Sequence, residues 1–371
     1  MSHIKKEMIS FFLTTRCNLD CLYCYANKGR SINPHQTLPL EFAKLGIDYF
    51  FQNFNSRHLR FFGAGEPTCE VKLIKDIYNY AISRTEKKVS TEIQTNGAFG
   101  DAAKEWLAEN LDIIWVSFDG MPDVQDYYRP FFKSGNKTSP VLEKNVRFLV
   151  RNGKGVTGAR VTIGEKNISR QFEMIDYFES LGIRHIWTDP LFSSVGYHPI
   201  DGENGNTSIS EVDLIEYVET FAEAYHYAKA RNIFYGSFLS CNFDEETRFN
   251  CRACIPVPHL TSDGFVSACD MALFGKNAHH MEVFIYGQWD KLNNRIIFDE
   301  KKIALLQSRS VENMPGCSNC PAALNCAGYC LGEVVNETGS LFGQKALTCK
   351  AIRLLASKID LNTGCYPYLH P

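Results

Sequence analysis

Short apolar segments alternate with longer amphipathic segments between residues 8 and 187 of this 371-residue chain. Six segments rich in β-branched and aromatic residues predict strands, at Met8–Leu13, Leu59–Phe62, Val89–Gln94, Ile113–Ser117, Gly158–Ile163 and Arg184–Trp187. The segments between them carry apolar residues at helical spacing, at Leu40–Phe51, Val71–Ser83, Ala102–Glu109, Val141–Arg151 and Phe172–Leu181. This alternation is typical of parallel strands joined by right-handed helical crossovers.

The pattern predicts an α/β fold built as a partial (β/α)6 barrel of the TIM type. A complete barrel needs eight units, and two more units are not visible before the pattern changes near residue 235. The first predicted domain covers residues 1–235 and includes a loop at Asp201–Ser208 and a helical segment at Glu211–Arg231. The second predicted domain covers residues 236–371, where cysteines and turn residues are frequent.

Composition and charge narrow the class of protein. The chain is 44% hydrophobic and 22% charged with a net charge of -3, which gives no reason to expect nucleic acid as a partner. The first ten residues lack the apolar core of a signal peptide, and no apolar segment is long enough to cross a bilayer. We therefore expect a cytoplasmic protein without a membrane partner, whose 14 cysteines serve metal binding or catalysis rather than disulfides.

The first cysteine group, Cys17, Cys21 and Cys24, follows the first predicted strand. Three thiolates can hold three irons of a four-iron cluster and leave the fourth iron open, whereas electron-transfer clusters normally have four protein ligands. A zinc knot or three unrelated buried cysteines are the alternatives. The segment from Arg16 to Tyr25, RCNLDCLYCY, resembles the signature of the radical S-adenosylmethionine (SAM) superfamily and includes the aromatic Tyr23.

The resemblance implies that SAM binds the open iron and is cleaved reductively to methionine and a 5'-deoxyadenosyl radical. Further loops after predicted strands match family motifs. Gly63-Ala64-Gly65-Glu66-Pro67 is similar to the Gly-Gly-Glu-Pro motif that contacts the SAM amino group, although Ala64 departs from it. Taken alone, a glycine-rich turn is usually only a tight bend.

Two other loops follow the third and fourth predicted strands. They contain Asn96 and the pair Ser117 and Asp119, all placed at the same barrel face. By resemblance, Ser117 and the downstream Arg129 would hold the SAM carboxylate, a role that suits the two-pronged donor of arginine. Taken singly, Asn96 or Arg129 is better explained as a cap or a surface charge.

The C-terminal cysteines have the spacing Cys254-x9-Gly264-x4-Cys269, then Cys317-x2-Cys320-x5-Cys326-x3-Cys330, then Cys349. This spacing resembles the SPASM domain and implies two auxiliary [4Fe-4S] clusters, hence three in all; two structural zinc sites are the alternative. By resemblance, one cluster takes Cys317, Cys320, Cys326 and Cys349, and the other takes Cys254, Cys269 and Cys330. Cys251 is the preferred fourth ligand of the second set, with Cys241 or an open iron as alternatives. Cys69, Cys241 and Cys365 are left over as small buried hydrophobic residues.

Asp270 directly follows Cys269 and matches the position of a proposed proton-accepting aspartate in the sulfatase-maturing relatives. A carboxylate beside a cluster is explained as well by hydrogen bonding within a turn. The segment Ser193–Ser208 is long enough for a lid over a radical site, or for an uncommitted surface loop.

Most proteins with this combination of domains modify peptides or proteins. The resemblance therefore implies an oxidoreductase that matures a ribosomally made peptide by hydrogen abstraction and oxidative bond formation. The expected partners are a peptide or protein substrate, an electron donor such as flavodoxin or ferredoxin, and a separate leader-binding protein, since only 16 residues precede Cys17. The alternatives are a formylglycine-forming sulfatase maturase, dehydrogenation of a small polyol or sugar, and a non-catalytic iron-sulfur electron carrier.

Overall fold

The computed structural model describes residues 7–191, 209, 211–276 and 279–363. The sequence-predicted loop Asp201–Ser208, the candidate lid Ser193–Ser208 and Cys365 lie outside the described residues. Within them, the structure contains one 11-stranded sheet with helices packed on its outer face.

Seven neighbouring strands of the sheet are parallel and follow chain order. They are β1 Ile9–Phe12, β2 His58–Phe62, β3 Ser90–Thr95, β4 Ile113–Ser117, β5 Val156–Ile163, β6 His185–Pro190 and β7 Phe234–Gly236. The first six coincide with the predicted strands, so the partial α/β barrel is confirmed. The sequence analysis missed β7 because three residues show no periodicity of their own.

Eight helices accompany these strands among the described residues. They are α1 Asn27–Ile32, α2 Leu40–Asn53, α3 Val71–Ser83, α4 Asp101–Asn110, α5 Pro122–Tyr128, α6 Ser139–Asn152, α7 Gln171–Leu181 and α8 Leu214–Lys229. The bounds of α3 agree with the predicted helix at both ends. The sequence analysis missed α1 and α5, which have six and seven residues and too few turns to establish a helical period.

Alternate residues of each barrel strand face opposite ways. Leu59 and Phe61 of β2 join the main apolar core, which the outer helices also contact. Phe62 belongs to a separate apolar cluster, as Trp115 of β4 and Trp187 of β6 belong to another. These inward positions line the interior of the partial barrel, which we call the lumen.

The C-terminal region continues the same sheet. Its strands are β8 His259–Leu260, β9 Phe265–Ser267, β10 Ile285–Asp290 and β11 Arg295–Phe298. β8 pairs in parallel with β1, and the remaining pairs are antiparallel. The helices of this region are α9 Glu300–Gln307, α10 Ala323–Cys326, α11 Leu331–Thr338 and α12 Ala346–Ala356. Backbone pairing thus crosses the predicted domain boundary at residue 235. That boundary remains a prediction from the sequence.

In the part of the chain that the structure describes, every helix is too short or too polar to cross a bilayer.

Candidate active site

The loop that carries Cys17, Cys21 and Cys24 follows β1 and is tied to the segment after α5. The Asp20 N–H donates to the carbonyl of Pro130 at 2.9 Å, and the Leu22 N–H donates to the carbonyl of Tyr128 at 2.9 Å. These backbone hydrogen bonds hold the three thiols at the carboxyl end of the barrel strands, next to Arg129.

The three thiols influence one another's ionisation. Burial raises the pKa of Cys21 to about 12; Arg129 opposes the shift, and Cys24 and Cys17 add to it. Arg30 on α1 is a nearby cation that the sequence analysis did not identify. Burial disfavours its charge, but Cys24 and Cys17 raise its pKa. Bound iron would favour the thiolate forms, because metal binding releases the thiol protons.

Glu66 is buried beside this loop, with 3% of its surface exposed. Its Oε1 accepts from the Thr68 N–H at 2.9 Å and from the hydroxyls of Thr68 and Thr95 at 2.6 and 2.7 Å. Its Oε2 accepts from the Asn96 N–H at 2.6 Å. Burial raises the pKa of Glu66, and these hydrogen bonds oppose the shift. Because a carboxylate oxygen accepts about two hydrogen bonds, Oε2 keeps capacity for an external donor.

The backbone of the glycine-rich loop lies directly against the cysteine loop. The Gly65 N–H donates to the Thr14 carbonyl at 2.8 Å, and the Glu66 N–H donates to the Arg16 carbonyl at 2.7 Å. Pro67 is buried and begins the short 3-10 helix Pro67–Glu70. The two loops are therefore held together by main-chain contacts that require close approach.

We expect Gly65→Ala to weaken SAM binding and to destabilise the fold by about 1–3 kcal/mol, because added atoms force a backbone shift. A Cβ at Gly65 would lie 2.1 Å from the Arg16 carbonyl oxygen. Gly63→Ala is the matched control, since its Cβ would meet the Thr14 carbonyl oxygen at 3.4 Å. Isothermal titration with SAM and urea denaturation measure the two effects; equal losses in both variants would contradict this explanation.

Asn96 turns its side chain toward the cysteine loop. Its Nδ2 donates to Asn18 Oδ1 at 2.7 Å and lies 3.9 Å from the Cys17 sulfur. Its Oδ1 accepts from the Ala98 N–H at 2.9 Å. The amide thus fixes the turn after β3 and connects it to the first cysteine.

Asp119, which is buried, forms a group with the partly buried Arg129 and Tyr23 on the other side of the cysteine loop. Arg129 donates from Nε to Asp119 Oδ2 at 2.9 Å and from Nη2 to Oδ1 at 3.2 Å, while its Nη1 lies 3.9 Å from the Cys21 sulfur. The Tyr23 hydroxyl donates to Asp119, and the guanidinium lies over the Tyr23 ring. Ser117 lies two residues before Asp119, at the end of β4. Five residues that the sequence predicts to contact SAM therefore lie with Glu66 at one end of the barrel: Tyr23, Asn96, Ser117, Asp119 and Arg129.

A second group of thiols gathers where the C-terminal region meets the barrel. A hydrogen bond in which the Cys254 thiol donates to Cys251 raises the pKa of Cys254, and burial raises it further. Burial raises the pKa of Cys330, and the nearby Cys251 and Cys269 add to the shift. The four cysteines of the predicted second set are therefore neighbours. Cys241 instead accepts hydrogen bonds from Asn242 at 3.3 Å and Asn250 at 3.7 Å and packs on lumen tryptophans.

A third group of thiols lies farther along the C-terminal region. Burial raises the pKa of Cys317; Arg309 opposes this, and Cys320 and Cys349 add to it. Burial likewise raises the pKa of Cys326 to about 12, with Cys349 and Cys317 contributing. Four thiols suit a [4Fe-4S] cluster by their chemistry. Within the described residues, no three His, Cys, Asp or Glu side chains are arranged to share a single metal ion.

Asp270 belongs to a network of buried charges in the lumen. Arg60 Nη1 donates to both Asp270 oxygens at 2.8 Å, and Arg252 Nη2 donates to Oδ2 at 2.7 Å. Burial alone would raise the pKa of Asp270, but Arg252, Arg60 and His259 hold it well below its usual range. An ionised carboxylate held this way is a weak base. Its proton-accepting role remains a sequence prediction that the geometry does not favour.

His259 completes this network as a neutral imidazole. Burial lowers its pKa to about 4. Its Nε2 lies 3.2 Å from Arg252 Nε, a donor, so the proton belongs on Nδ1, which faces Asp270 Oδ1 at 3.3 Å. Glu92 extends the network on the other side, 3.5 Å from Arg60 Nε. The sequence analysis missed these residues, although Arg60 within a predicted apolar strand was a signal of a charged lumen.

Part of this chain is similar in sequence to known proteins. Residues 11–183 match the radical SAM superfamily. An uncharacterised protein of Methanocaldococcus jannaschii is 28% identical over 181 residues, 48% of this chain and 60% of that protein. Fe-coproporphyrin III synthase of Methanosarcina barkeri is 35% identical over 127 residues, 34% of this chain and 30% of that enzyme. The matched part of this chain thus spans less than two thirds of either relative.

Solved structures share the fold over nearly the whole chain. The anaerobic sulfatase-maturing enzyme anSMEcpe, with bound AdoMet and the Cp18Cys peptide, superposes with a TM-score of 0.71 at 16% identity, covering 95% of this chain and 96% of that one. Streptococcus suis SuiB, bound to its precursor peptide SuiA, gives a TM-score of 0.63 at 16% identity over 92% of this chain and 75% of that one. At 16% identity, these two matches show a shared fold.

Proposed function

Because residues 11–183 match the radical SAM superfamily, we propose that this chain cleaves SAM reductively and matures a ribosomally made peptide by oxidative bond formation. The observation that carries the proposal is the grouping of the thiols. Three thiols lie at the carboxyl end of the barrel strands, and two further groups of four lie in the C-terminal region. An electron carrier needs no three-thiol site with an open position.

We propose that SAM binds beside the cysteine loop. When bound, the clusters and SAM would supply a 5'-deoxyadenosyl radical and an acceptor for one electron. Cys17, Cys21 and Cys24 would hold the first cluster, Glu66 Oε2 would accept from the SAM amino group, and Arg129 with Ser117 would receive its carboxylate. Asp119 supports this by fixing the guanidinium with two hydrogen bonds.

Cys251 is the fourth ligand that we propose for the set Cys254, Cys269 and Cys330. We expect Cys251→Ser to lose about four of about twelve irons per chain, because oxygen is a poorer iron-sulfur ligand than thiolate sulfur. Cys241→Ser is the matched control and should keep its iron, since its sulfur already accepts two amide hydrogen bonds. Iron analysis and electron paramagnetic resonance of the reduced proteins measure this; iron loss only in the Cys241 variant would reverse the assignment.

A peptide substrate is supported by the structural neighbours, both of which were solved with a bound peptide. The partners that we propose are a precursor peptide, an electron donor of the flavodoxin or ferredoxin type, and a separate leader-binding protein. The paired charges of Arg60 and Asp270 and the rings of Trp115 and Trp187 in the lumen support this proposal.

Anaerobic co-expression with a short peptide encoded beside the gene, followed by proteolysis and mass spectrometry, tests the proposal. We expect the peptide to lose the mass of two hydrogens at one mapped position. A cysteine or serine converted to formylglycine would identify a sulfatase-type maturase instead. An unchanged peptide together with 5'-deoxyadenosine formation would point to a small-molecule substrate, and absence of SAM cleavage would refute the proposal.

A further inference from the structure

A second carboxylate in the lumen lies opposite the Asp270 network. Asp189 is near the end of β6, and its Oδ1 accepts from the Phe238 N–H at 2.8 Å. Its Oδ2 accepts from Trp187 Nε1 at 2.7 Å and lies 3.8 Å from Arg160 Nη2. These contacts come from rigid strand and turn positions, so they fix the orientation of the carboxylate.

The strand register places Asp189 beside the predicted SAM contacts. Ser117 of β4 is paired with Arg160 of β5, and Thr162 of β5 is paired with Asp189 of β6. The Thr162 N–H also donates to Asp119 Oδ1 at 3.0 Å. Because paired residues on neighbouring strands are about 5 Å apart, Asp189 lies within two strands of the proposed SAM carboxylate site.

The same carboxylate lies near the chain segment that leads into one thiol of the second group. Burial raises the pKa of Tyr329, and Glu333, Cys330, Asp189 and Cys241 add to the shift. Tyr329 directly precedes Cys330 in the chain. Asp189 therefore lies on the lumen wall near the proposed SAM site and near the segment that carries a proposed auxiliary-cluster ligand.

The surroundings leave Asp189 able to change its protonation. Burial raises its pKa to about 7; Arg160, the Phe238 N–H and Trp187 oppose this, and Glu333 adds to it. Tyr217 from α8 and Tyr329 before α11 also face it. Asp270 contrasts with it, since two arginines hold its pKa well below the usual range. Among the described residues, Asp189 makes two hydrogen bonds, and a carboxylate accepts about four.

On the basis of the proposed function, we propose that Asp189 accepts the proton that the substrate loses when the new bond closes. When bound, SAM and an oxidised iron-sulfur centre would supply the radical that removes a hydrogen atom from the substrate carbon and the acceptor for one electron. Closure of the bond between that carbon and a second substrate atom, X, releases that electron and the X–H proton. The proton would go to an Asp189 oxygen. This step requires that the peptide present an X–H group that can lose its proton, such as a thiol, a hydroxyl or an amide.

The test compares the reconstituted wild-type enzyme with Asp189→Asn, Asp189→Glu and the exposed control Asp176→Asn. Infrared difference spectra across pH, with aspartate labelled by carbon-13 at its carboxyl group, follow carboxyl titration without a substrate. We expect a carboxyl with a midpoint near the raised pKa of about 7 in wild type, and its loss in Asp189→Asn alone. A midpoint in the ordinary aspartate range overturns the inference, whether or not the enzyme proves to act on peptides.

The second readout uses the peptide that the wild-type enzyme converts in the mass-spectrometric assay. We expect Asp189→Asn to lower cross-linked product by at least about 100-fold, the usual loss on removing a catalytic base, while 5'-deoxyadenosine still forms. Product formation in wild type should rise with pH through about 7, because the base form of Asp189 is present above its raised pKa. Asp189→Glu should recover part of the product. Equal product from wild type and Asp189→Asn would exclude the role, and failure of wild type itself would count against the proposed function.

Discussion

Replacing Cys17, Cys21 and Cys24 together by alanine is expected to reduce 5'-deoxyadenosine formation to background while about eight of about twelve irons per chain are retained. The reason is spatial separation. These three thiols lie in the loop after β1, whereas the other two groups of thiols lie in the C-terminal region. The C-terminal groups share no cysteine with the first group. Chromatographic assay of 5'-deoxyadenosine and iron analysis measure both effects.

Cys69→Ala is the matched control for this experiment. Burial raises the pKa of Cys69 to about 12, and Glu66 and Cys17 add to the shift, so this thiol lies close to the same site. It falls outside the cysteine motif, and the variant should keep both SAM cleavage and iron. Loss of all iron in the triple variant would contradict the separation of the cluster sites.

Asp270→Ala is expected to lower the free energy of unfolding by about 3–5 kcal/mol, because it leaves buried charges without their partner. Arg60 and Arg252 are only 6% and 7% exposed, and both donate to this carboxylate. Asp290→Ala is the surface control, since Asp290 pairs with the exposed Arg295 and surface ion pairs contribute little to stability. Urea denaturation followed by circular dichroism measures the difference.

The variant Asp270→Asn distinguishes two possible roles of Asp270. A residue that anchors two arginines should lose stability on substitution by asparagine, because the amide is neutral and presents an N–H group to a guanidinium. A residue that serves only as a proton acceptor should keep its stability and lose product. Unchanged stability of Asp270→Asn, with abolished product, would therefore restore the proton-acceptor role that the sequence resemblance implies.

Much of the barrel was predictable from the sequence because its outer face obeys simple periodicity. The six long strands and the helices α2, α3, α4, α6, α7 and α8 have enough residues to display alternation or helical spacing. The C-terminal strands do not: β8 has two residues and β9 has three. Their place in the sheet depends on pairing with β1 and β10, which sequence periodicity does not encode.

The candidate site was predictable where chemistry is carried by residue type and spacing. Cysteines and the glycine-rich loop were found in this way, and the structure places them in three groups of neighbours. The lumen charges were not found, because Arg60, Arg160 and Asp189 each have partners distant in sequence. A charged residue at an inward strand position was the available signal of a charged lumen. The sequence alone does not identify the oppositely charged residue that pairs with it.

The pairing of β8 with β1 constrains how the molecule can work. β1 leads into the first cysteine loop, and its Ser10 N–H donates to the Pro258 carbonyl at 3.0 Å in the segment that enters β8. Hinge opening between the two regions would have to break these main-chain bonds, so the C-terminal region cannot swing away as a rigid lid. This pairing restrains the separation between the first thiol group and the C-terminal region. Substrate exchange would then rely on local loop rearrangement, and electron tunnelling between the proposed cluster sites would keep a constant rate from one cycle to the next.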